Sequence, residues 1–474
     1  MTGATSPQVL AHKLDTAAGA FEQWSRLRPP DRAPVLEAIA SALEEAEPKL
    51  VVLADEETSL GEARLHNEMA RTVFQLRLFA QVVTRGEYLG ATIDHADPAW
   101  PMGPRPDLRR VLEPLGPVVV FAAGNFPFAF SVAGGDTASV LAAGCSVIVK
   151  VHSGHPKLSA ATAEVVQHAL ASAGAPEGLF DVVFGTEAGR AVMVDPRVKA
   201  GAFTGSIEAG RALFDIATSR PEPIPFFGEL GSVNPVFVTN AAAERRGPAI
   251  VSEFVGSFTL GAGQFCTKPG ILLVPESAEL VDRLPGAVPD EPLTLLNDRI
   301  RGSYASALGE LRDTVGVRVL VDGHHASPTV LRTTSAELLS APQAHLREVF
   351  GPAALVVEYA DESELIEVAK VIDGQLTASI QGEDDDVVAG ELIRVLAAKA
   401  GRVLWNQWPT GVSVTFAQQH GGPYPATTAP ATTSVGTEAI SRFLRPVAYQ
   451  NVPQHLLPPA LRDANPLGIP QRAC

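Results

Sequence analysis

Two side chains in this sequence pair naturally as a nucleophile and a base. Cys266 lies in Leu260-Gly-Ala-Gly-Gln-Phe-Cys-Thr-Lys-Pro-Gly270, where glycines leave room for a substrate to approach the sulfur. Glu229 lies upstream in Phe227-Gly-Glu-Leu-Gly-Ser-Val-Asn-Pro235, after the apolar stretch Ile224-Pro-Phe-Phe-Gly228. A thiolate can add to a carbonyl, and releasing the resulting thioester requires a separate carboxylate to activate water. Burial at a strand end is expected to raise the Glu229 pKa towards neutrality and make it a better base. Gln264 offers an amide, and either Lys268 or a bound cationic ligand is expected to favour thiolate. A lone cysteine can also simply fill a core, a reading that suits Cys145 in Ala142-Ala-Gly-Cys-Ser-Val-Ile148; Cys474 is terminal.

Further candidates fall where strands give way to helices. Asn125, in Phe121-Ala-Ala-Gly-Asn-Phe-Pro-Phe128, reads either as an amide donor for a developing oxyanion or as a helix N-cap. Gly205 and Ser206, in Phe203-Thr-Gly-Ser-Ile-Glu-Ala-Gly210, open a helix whose first N–H groups suit a pyrophosphate, although serine is also an ordinary cap. Lys150 ends the apolar run Val147-Ile-Val149, as a cation at the same sheet edge or as a snorkelling surface lysine. No strand-to-helix junction carries Gly-x-Gly-x-x-Gly.

These residues need a scaffold, and the apolar periodicity supplies one. From Gln8 to about Tyr88, spacings of three and four predict successive amphipathic helices. Leu108 to Leu115 reads as an exposed strand. From Val118 to Leu230, runs at 118–123, 146–151, 180–184 and 200–203 alternate with helical patterns at 156–173, 187–193 and 206–219, the signature of a parallel, doubly wound sheet. A second alternating region contains 234–239, 353–359, 378–380 and 402–405 and carries Cys266. The segment from Gly421 onward, rich in Pro, Thr and Ala, shows no core of its own and is expected to pack elsewhere, on a neighbouring subunit.

The chain has 474 residues, 46% of them hydrophobic and 19% charged, enough for a large core divided into two or three units. A net charge of -16 argues against nucleic acid or an anionic membrane as partner. Three cysteines without metal-ligand spacing indicate neither zinc nor a disulfide framework. With no signal-like start and no membrane-length apolar run, a cytoplasmic location is expected.

Taken in order, these motifs resemble the aldehyde dehydrogenase superfamily over almost the whole chain. The likeness is strongest to the branch of α-ketoglutaric semialdehyde dehydrogenases and bacterial NADP-dependent aldehyde dehydrogenases, through Asn125-Phe-Pro-Phe-Ala-Phe130, His152-Ser-Gly-His-Pro156, Trp408-Pro-Thr-Gly-Val412, His420-Gly-Gly-Pro-Tyr-Pro425 and Arg442-Phe-Leu-Arg-Pro-Val-Ala-Tyr-Gln450. The resemblance implies an α/β fold of two doubly wound domains with a small oligomerisation arm. Residues 1–103 and 119–229 would bind the dinucleotide, 230–418 would carry the nucleophile, and 104–118 with 419–474 would form the arm and tail.

By the same resemblance Cys266 is nucleophile, Glu229 the base and Asn125 the oxyanion donor. Lys150 holds the adenosine ribose, Gly205 and Ser206 lie by the phosphates, Glu348 holds the nicotinamide ribose and Phe350 packs beside the nicotinamide. Phe126 and Phe128 would line the substrate pocket. His420 would lie near the sulfur, although a solvated loop histidine is the alternative. Many NAD-dependent relatives place a glutamate three residues after the lysine; here Ser153 removes that charge, so NADP is expected to be preferred to NAD, with Arg190 as phosphate partner. The implied reaction oxidises an aldehyde to a carboxylic acid through a thiohemiacetal and a thioester, with α-ketoglutaric semialdehyde as the candidate substrate and a homodimer or homotetramer as the assembly. The alternatives are acyl transfer to coenzyme A, by relatives that generally lack the glutamate, and a catalytically idle homologue.

Overall fold

The computed structural model describes residues 3–324 and 326–473. Cys474 lies outside them. The chain opens with three amphipathic helices: α1 (Pro7–Trp24), α2 (Ala33–Thr58) and α3 (Glu62–Arg85). Ser6 caps α1 through its side chain, with Pro7 at the first helical position. Two strands follow, β1 (Thr92–Asp94) and β2 (Leu108–Pro114).

The first alternating region then runs β3 (Val118–Phe121), α4 (Gly135–Ala143), β4 (Val147–Lys150), α5 (Pro156–Ser172), β5 (Phe180–Val183), α6 (Thr186–Val194), β6 (Ala200–Thr204), α7 (Ile207–Ser219) and β7 (Phe226–Glu229). Its five strands pair in parallel in the order β5-β4-β3-β6-β7. Strand order reverses beside β3, so a crevice opens at the carboxyl ends of β3 and β6, the place where open α/β sheets take ligands. The helix expected directly after Asn125 begins only at Gly135; residues 124–134 are turns and bends, so Asn125 is not a helix cap.

The second region runs β8 (Val236–Val238), α8 (Asn240–Thr259), β9 (Ile271–Pro275), β10 (Arg318–Val321), β11 (Thr329–Thr334), β12 (Ala353–Tyr359), β13 (Gln375–Gln381) and β14 (Ala400–Trp405). These form a seven-stranded sheet in the order β10-β11-β12-β9-β8-β13-β14, parallel except for the edge strand β10. β12 is apolar almost throughout, and both β12 and β13 are buried along both faces, as parallel strands under helices must be.

The last strands, β15 (Leu444–Gln450) and β16 (Arg472–Ala473), return to β1 and β2 in a four-stranded sheet ordered β15-β2-β1-β16. Two expectations change here. Thr92–Asp94 pairs with β2 and so belongs to this small sheet rather than to the first α/β unit. The segment after Gly421 packs on its own chain: Ala439, Ile440 and Phe443 enter the core around β3 and β4, and Leu457, Ala460, Leu461 and Ile469 form a small core with Leu89, Ala91 and Val111. Its path is tight. A side chain at Gly422 would meet the Gln375 carbonyl oxygen at 2.2 Å, so only glycine lets this segment pass the start of β13.

Candidate active site

Glu229 ends β7, and Cys266 sits five residues before β9, so the two sheets meet at these side chains. The sulfur-bearing loop owes its shape to Gly261, Ala262 and Gly263, at φ 57°, 56° and 66°. At Gly263 a Cβ would lie 2.2 Å from the Gly351 carbonyl oxygen, which fixes glycine there. Asn234, itself at φ 48°, donates its side-chain amide to the Cys266 carbonyl (2.8 Å) and the Lys268 carbonyl (3.0 Å). Gln375 Oε1 accepts from the backbone N–H groups of Val233 and Asn234 at 2.9 and 3.1 Å. Sequence reasoning missed both clamps; polar residues within apolar runs, Asn234 before β8 and Gln375 opening β13, were the signal available.

The tail completes the site. His420 is buried, with Nε2 2.8 Å from Glu229 Oε1 and 3.6 Å from Cys266 Sγ. Ser434 Oγ donates to Glu229 Oε2. One ligating atom from each of Glu229, Cys266 and His420 falls within 4.8 Å of the others.

Charge follows geometry. Burial pushes the Glu229 carboxyl up, but His420, Ser434 and the Cys266 thiol bring it below the ordinary glutamate value, so the expected rise is overturned. The Cys266 thiol moves the other way: burial and the Glu229 charge hold it well above the usual range, and Arg402 offsets this in part. The resting pair is therefore thiol and carboxylate. Cys145, buried and pushed up to about 11, has the core role foreseen for it.

Lys268 does not serve the sulfur. Its ammonium donates to the Val349 and Ala353 carbonyls, both at 2.7 Å, and it faces Glu348; burial lowers it to about 8 and raises Glu348 to about 7. Gln264 is likewise committed to structure, donating to the Gly261 and Thr294 carbonyls and accepting from Leu296 N. Asn125 Nδ2 donates to the Gln264 carbonyl at 3.0 Å, which sets its amide against the cysteine loop. Phe126 packs edge-on to Phe265, one residue before the cysteine, at 5.3 Å. Phe128, 2% exposed, belongs to the core of the first unit.

The remaining residues gather at the other sheet edge. Lys150, at the end of β4, is half-buried and has no carboxylate partner among the described residues; burial and Arg299 lower its pKa. Gly205 and Ser206 are exposed at the end of β6, where Ser206 Oγ accepts from Ala209 N as the cap of α7. Ser153 is exposed, and Arg190, on α6, faces Glu187 at 3.6 Å. Of the paired histidines, His155 is structural, bonded to the Ala123 carbonyl and Ser159. Phe350 is half-buried beside Glu348.

The aldehyde dehydrogenase family model matches residues 3–290 and 303–437. The chain belongs to the aldehyde dehydrogenase family. Its activity is the NAD(P)-dependent oxidation of an aldehyde. An α-ketoglutaric semialdehyde dehydrogenase of Acinetobacter baylyi is 42% identical over 99% of this chain and 92% of its own length. A second, from Azospirillum brasilense, is 46% identical over 96% of this chain and 89% of its own. The fold agrees with a γ-glutamyl-γ-aminobutyraldehyde dehydrogenase structure from Burkholderia cenocepacia, with TM-score 0.80 at 20% identity over 94% of this chain and 89% of that one. The crevice of this aldehyde dehydrogenase suits a dinucleotide: a switch point, the first turn of a 13-residue helix and an uncompensated lysine lie along one edge. No helix among the described residues is long and apolar enough to cross a membrane.

Proposed function

We propose that this aldehyde dehydrogenase oxidises α-ketoglutaric semialdehyde to α-ketoglutarate, with Cys266 as nucleophile and Glu229 as the hydrolytic base. The observation that carries this reading is the cluster of Cys266 Sγ, the Glu229 carboxylate and His420 Nε2 within 4.8 Å. The names of the two bacterial relatives support the substrate. The sulfur adds to the aldehyde carbon as its proton passes to the Glu229 carboxylate, which loses it to solvent and is ionised again before hydrolysis. The Asn125 amide and the Cys266 backbone N–H donate to the oxyanion so formed. A nicotinamide dinucleotide, when bound, supplies the hydride acceptor. Lys150, Ser153, Arg190, Gly205, Ser206, Glu348 and Phe350 are the residues that would hold it. Glu229 then takes a proton from water, which adds to the acyl carbon; the C–S bond breaks, releasing the acid and restoring the thiol.

Retention of Glu229 beside the sulfur supports hydrolysis over transfer to coenzyme A or an idle scaffold. Incubation with α-ketoglutaric semialdehyde and NADP, with and without coenzyme A, identifies the product. The free acid is expected in both; a coenzyme A thioester would overturn the reading. Cys266→Ala should abolish oxidation, and Glu229→Gln should give one burst of reduced cofactor followed by slow turnover.

For the cofactor, the absence of a carboxylate at Ser153 supports NADP over NAD, with Arg190 on α6 as the cation that would meet its phosphate. Ser153→Glu should raise the Kd for NADP at least tenfold more than that for NAD; equal effects would remove Ser153 from the phosphate site. The assembly proposed is a homodimer or homotetramer built through the small sheet.

A further inference from the structure

Arg64, Glu68 and Arg71 stand at spacings of four and three on α3 and form one stripe. That stripe faces inward. Arg64 Nη2 donates to the Asn125 carbonyl at 2.7 Å, and its guanidinium covers the rings of Phe126 and Phe265, 5.1 and 4.9 Å from their centres. Glu68 Oε1 accepts from Phe128 N and Ala129 N at 2.8 and 2.9 Å. Arg71 Nη1 donates to the Val412 carbonyl. From the other sheet, Arg402 on β14 donates to the carbonyls of Gly411 (3.0 Å) and Pro409 (2.8 Å). Two arginines from separate units thus converge on the same short segment, 409–412.

What these arginines leave unused is the informative part. Arg71 Nε and Nη2, Arg402 Nε and Arg64 Nη1 are buried, and none has a hydrogen-bond partner among the described residues. Buried donors are rarely left without an acceptor, and those that are call for one from outside the chain. On Arg71 the two free nitrogens form one edge of the guanidinium, the fork that meets both oxygens of a carboxylate. Local charge agrees: the guanidiniums of Arg64 and Arg71 face one carboxyl, Glu68, which burial lifts to about 7 and so leaves only partly ionised at neutral pH. Arg71 and Arg402 both lie within electrostatic reach of Cys266, and Arg71 also of Glu229.

We propose that Arg71, with Arg402 beside it, forms a carboxylate-binding subsite that grips the far end of the substrate while its aldehyde carbon lies at Cys266. This rests on the aldehyde-oxidising reading above and assigns that reading's substrate class: short aldehydes ending in a carboxylate.

The test compares 5-oxopentanoate with pentanal, which have the same carbon count and differ in the terminal carboxylate. Wild type is expected to favour 5-oxopentanoate by about 100-fold in kcat/KM. Arg71→Gln should shrink that ratio at least about 30-fold, mainly through KM, and Arg71→Lys should restore part of it. Arg402→Gln should shrink it in the same direction and decides the matter if Arg71→Gln does not fold. Glutarate provides a readout without turnover, expected to raise the Tm of wild type and not that of Arg71→Gln. A wild-type ratio near one, or a ratio unchanged in both glutamine variants, overturns the subsite while leaving aldehyde oxidation intact. If neither aldehyde is oxidised, the aldehyde reading fails instead, and the glutarate shift alone decides the subsite.

Discussion

Cys266 rests as a thiol because its surroundings oppose a second negative charge: the site is buried, and Glu229 is already ionised beside it. The neighbour needed to hydrolyse the thioester therefore also holds the nucleophile in check. Alkylation by iodoacetamide, mapped by peptide mass, should be slow at pH 8 and accelerate above pH 9. Glu229→Gln removes the largest opposing charge, so alkylation at pH 8 should rise about tenfold even as steady turnover falls. A slower reaction in the variant would mean instead that Glu229 helps the sulfur more by accepting its proton than it restrains it by its charge. At this scale the sequence revealed residue types but not directions. Cys266, Glu229 and His420 stand out by motif, whereas Lys268, two positions from the sulfur, turns its ammonium to Val349 and Ala353. Arg71 drew no notice because a charged residue on an amphipathic helix ordinarily faces water.

α3 shows how an element can be legible in outline and not in role. Its apolar spacing predicted the helix, but Glu68 at 5% exposure lies on the buried face. Burial raises that carboxyl to about 7, ahead of the opposing pull of Phe128 N, Ala129 N and the two arginines. The sign follows from linkage. Below pH 4.5 the group is protonated in both folded and unfolded chains; as pH rises through about 7 the unfolded chain ionises more readily, and up to about 3 kcal/mol of stability is lost. Glu68→Gln keeps an acceptor for both backbone N–H groups and cannot ionise. Its Tm should exceed that of wild type by a margin that grows from pH 5 to pH 8 in scanning fluorimetry; a constant margin would place the cause elsewhere. Most strands of the two α/β regions were foreseen from their apolar runs, but β9 was not, although Ile271–Pro275 is an unbroken apolar run. β10 and β11 were not, because an exposed edge strand and one interleaved with threonine and arginine carry little apolar signal.

For the molecule as a whole, the two alternating regions were plain in the sequence, and the destination of the last fifty residues was not. A segment rich in Pro, Thr and Ala has no periodicity to betray its partners, and here those partners are distant parts of the same chain. β15 pairs with β2 along one side; among the described residues its other side has no strand. An open edge of seven residues is a ready surface for a second copy. Light scattering should give the mass of a dimer or tetramer of the 49.8 kDa chain, and Val447→Pro should shift it towards the monomer. A monomeric wild type would refute the assembly.

His420 lies 154 positions beyond Cys266, and Ser434 lies 205 beyond Glu229. During synthesis the nucleophile leaves the ribosome well before the groups that will surround it, since translation delivers the chain from its N-terminus. Until that final stretch has threaded past β13, the half-finished enzyme holds a cysteine whose acidic neighbour lacks its histidine and serine. Competence to oxidise an aldehyde thus arrives late, with the completed polypeptide.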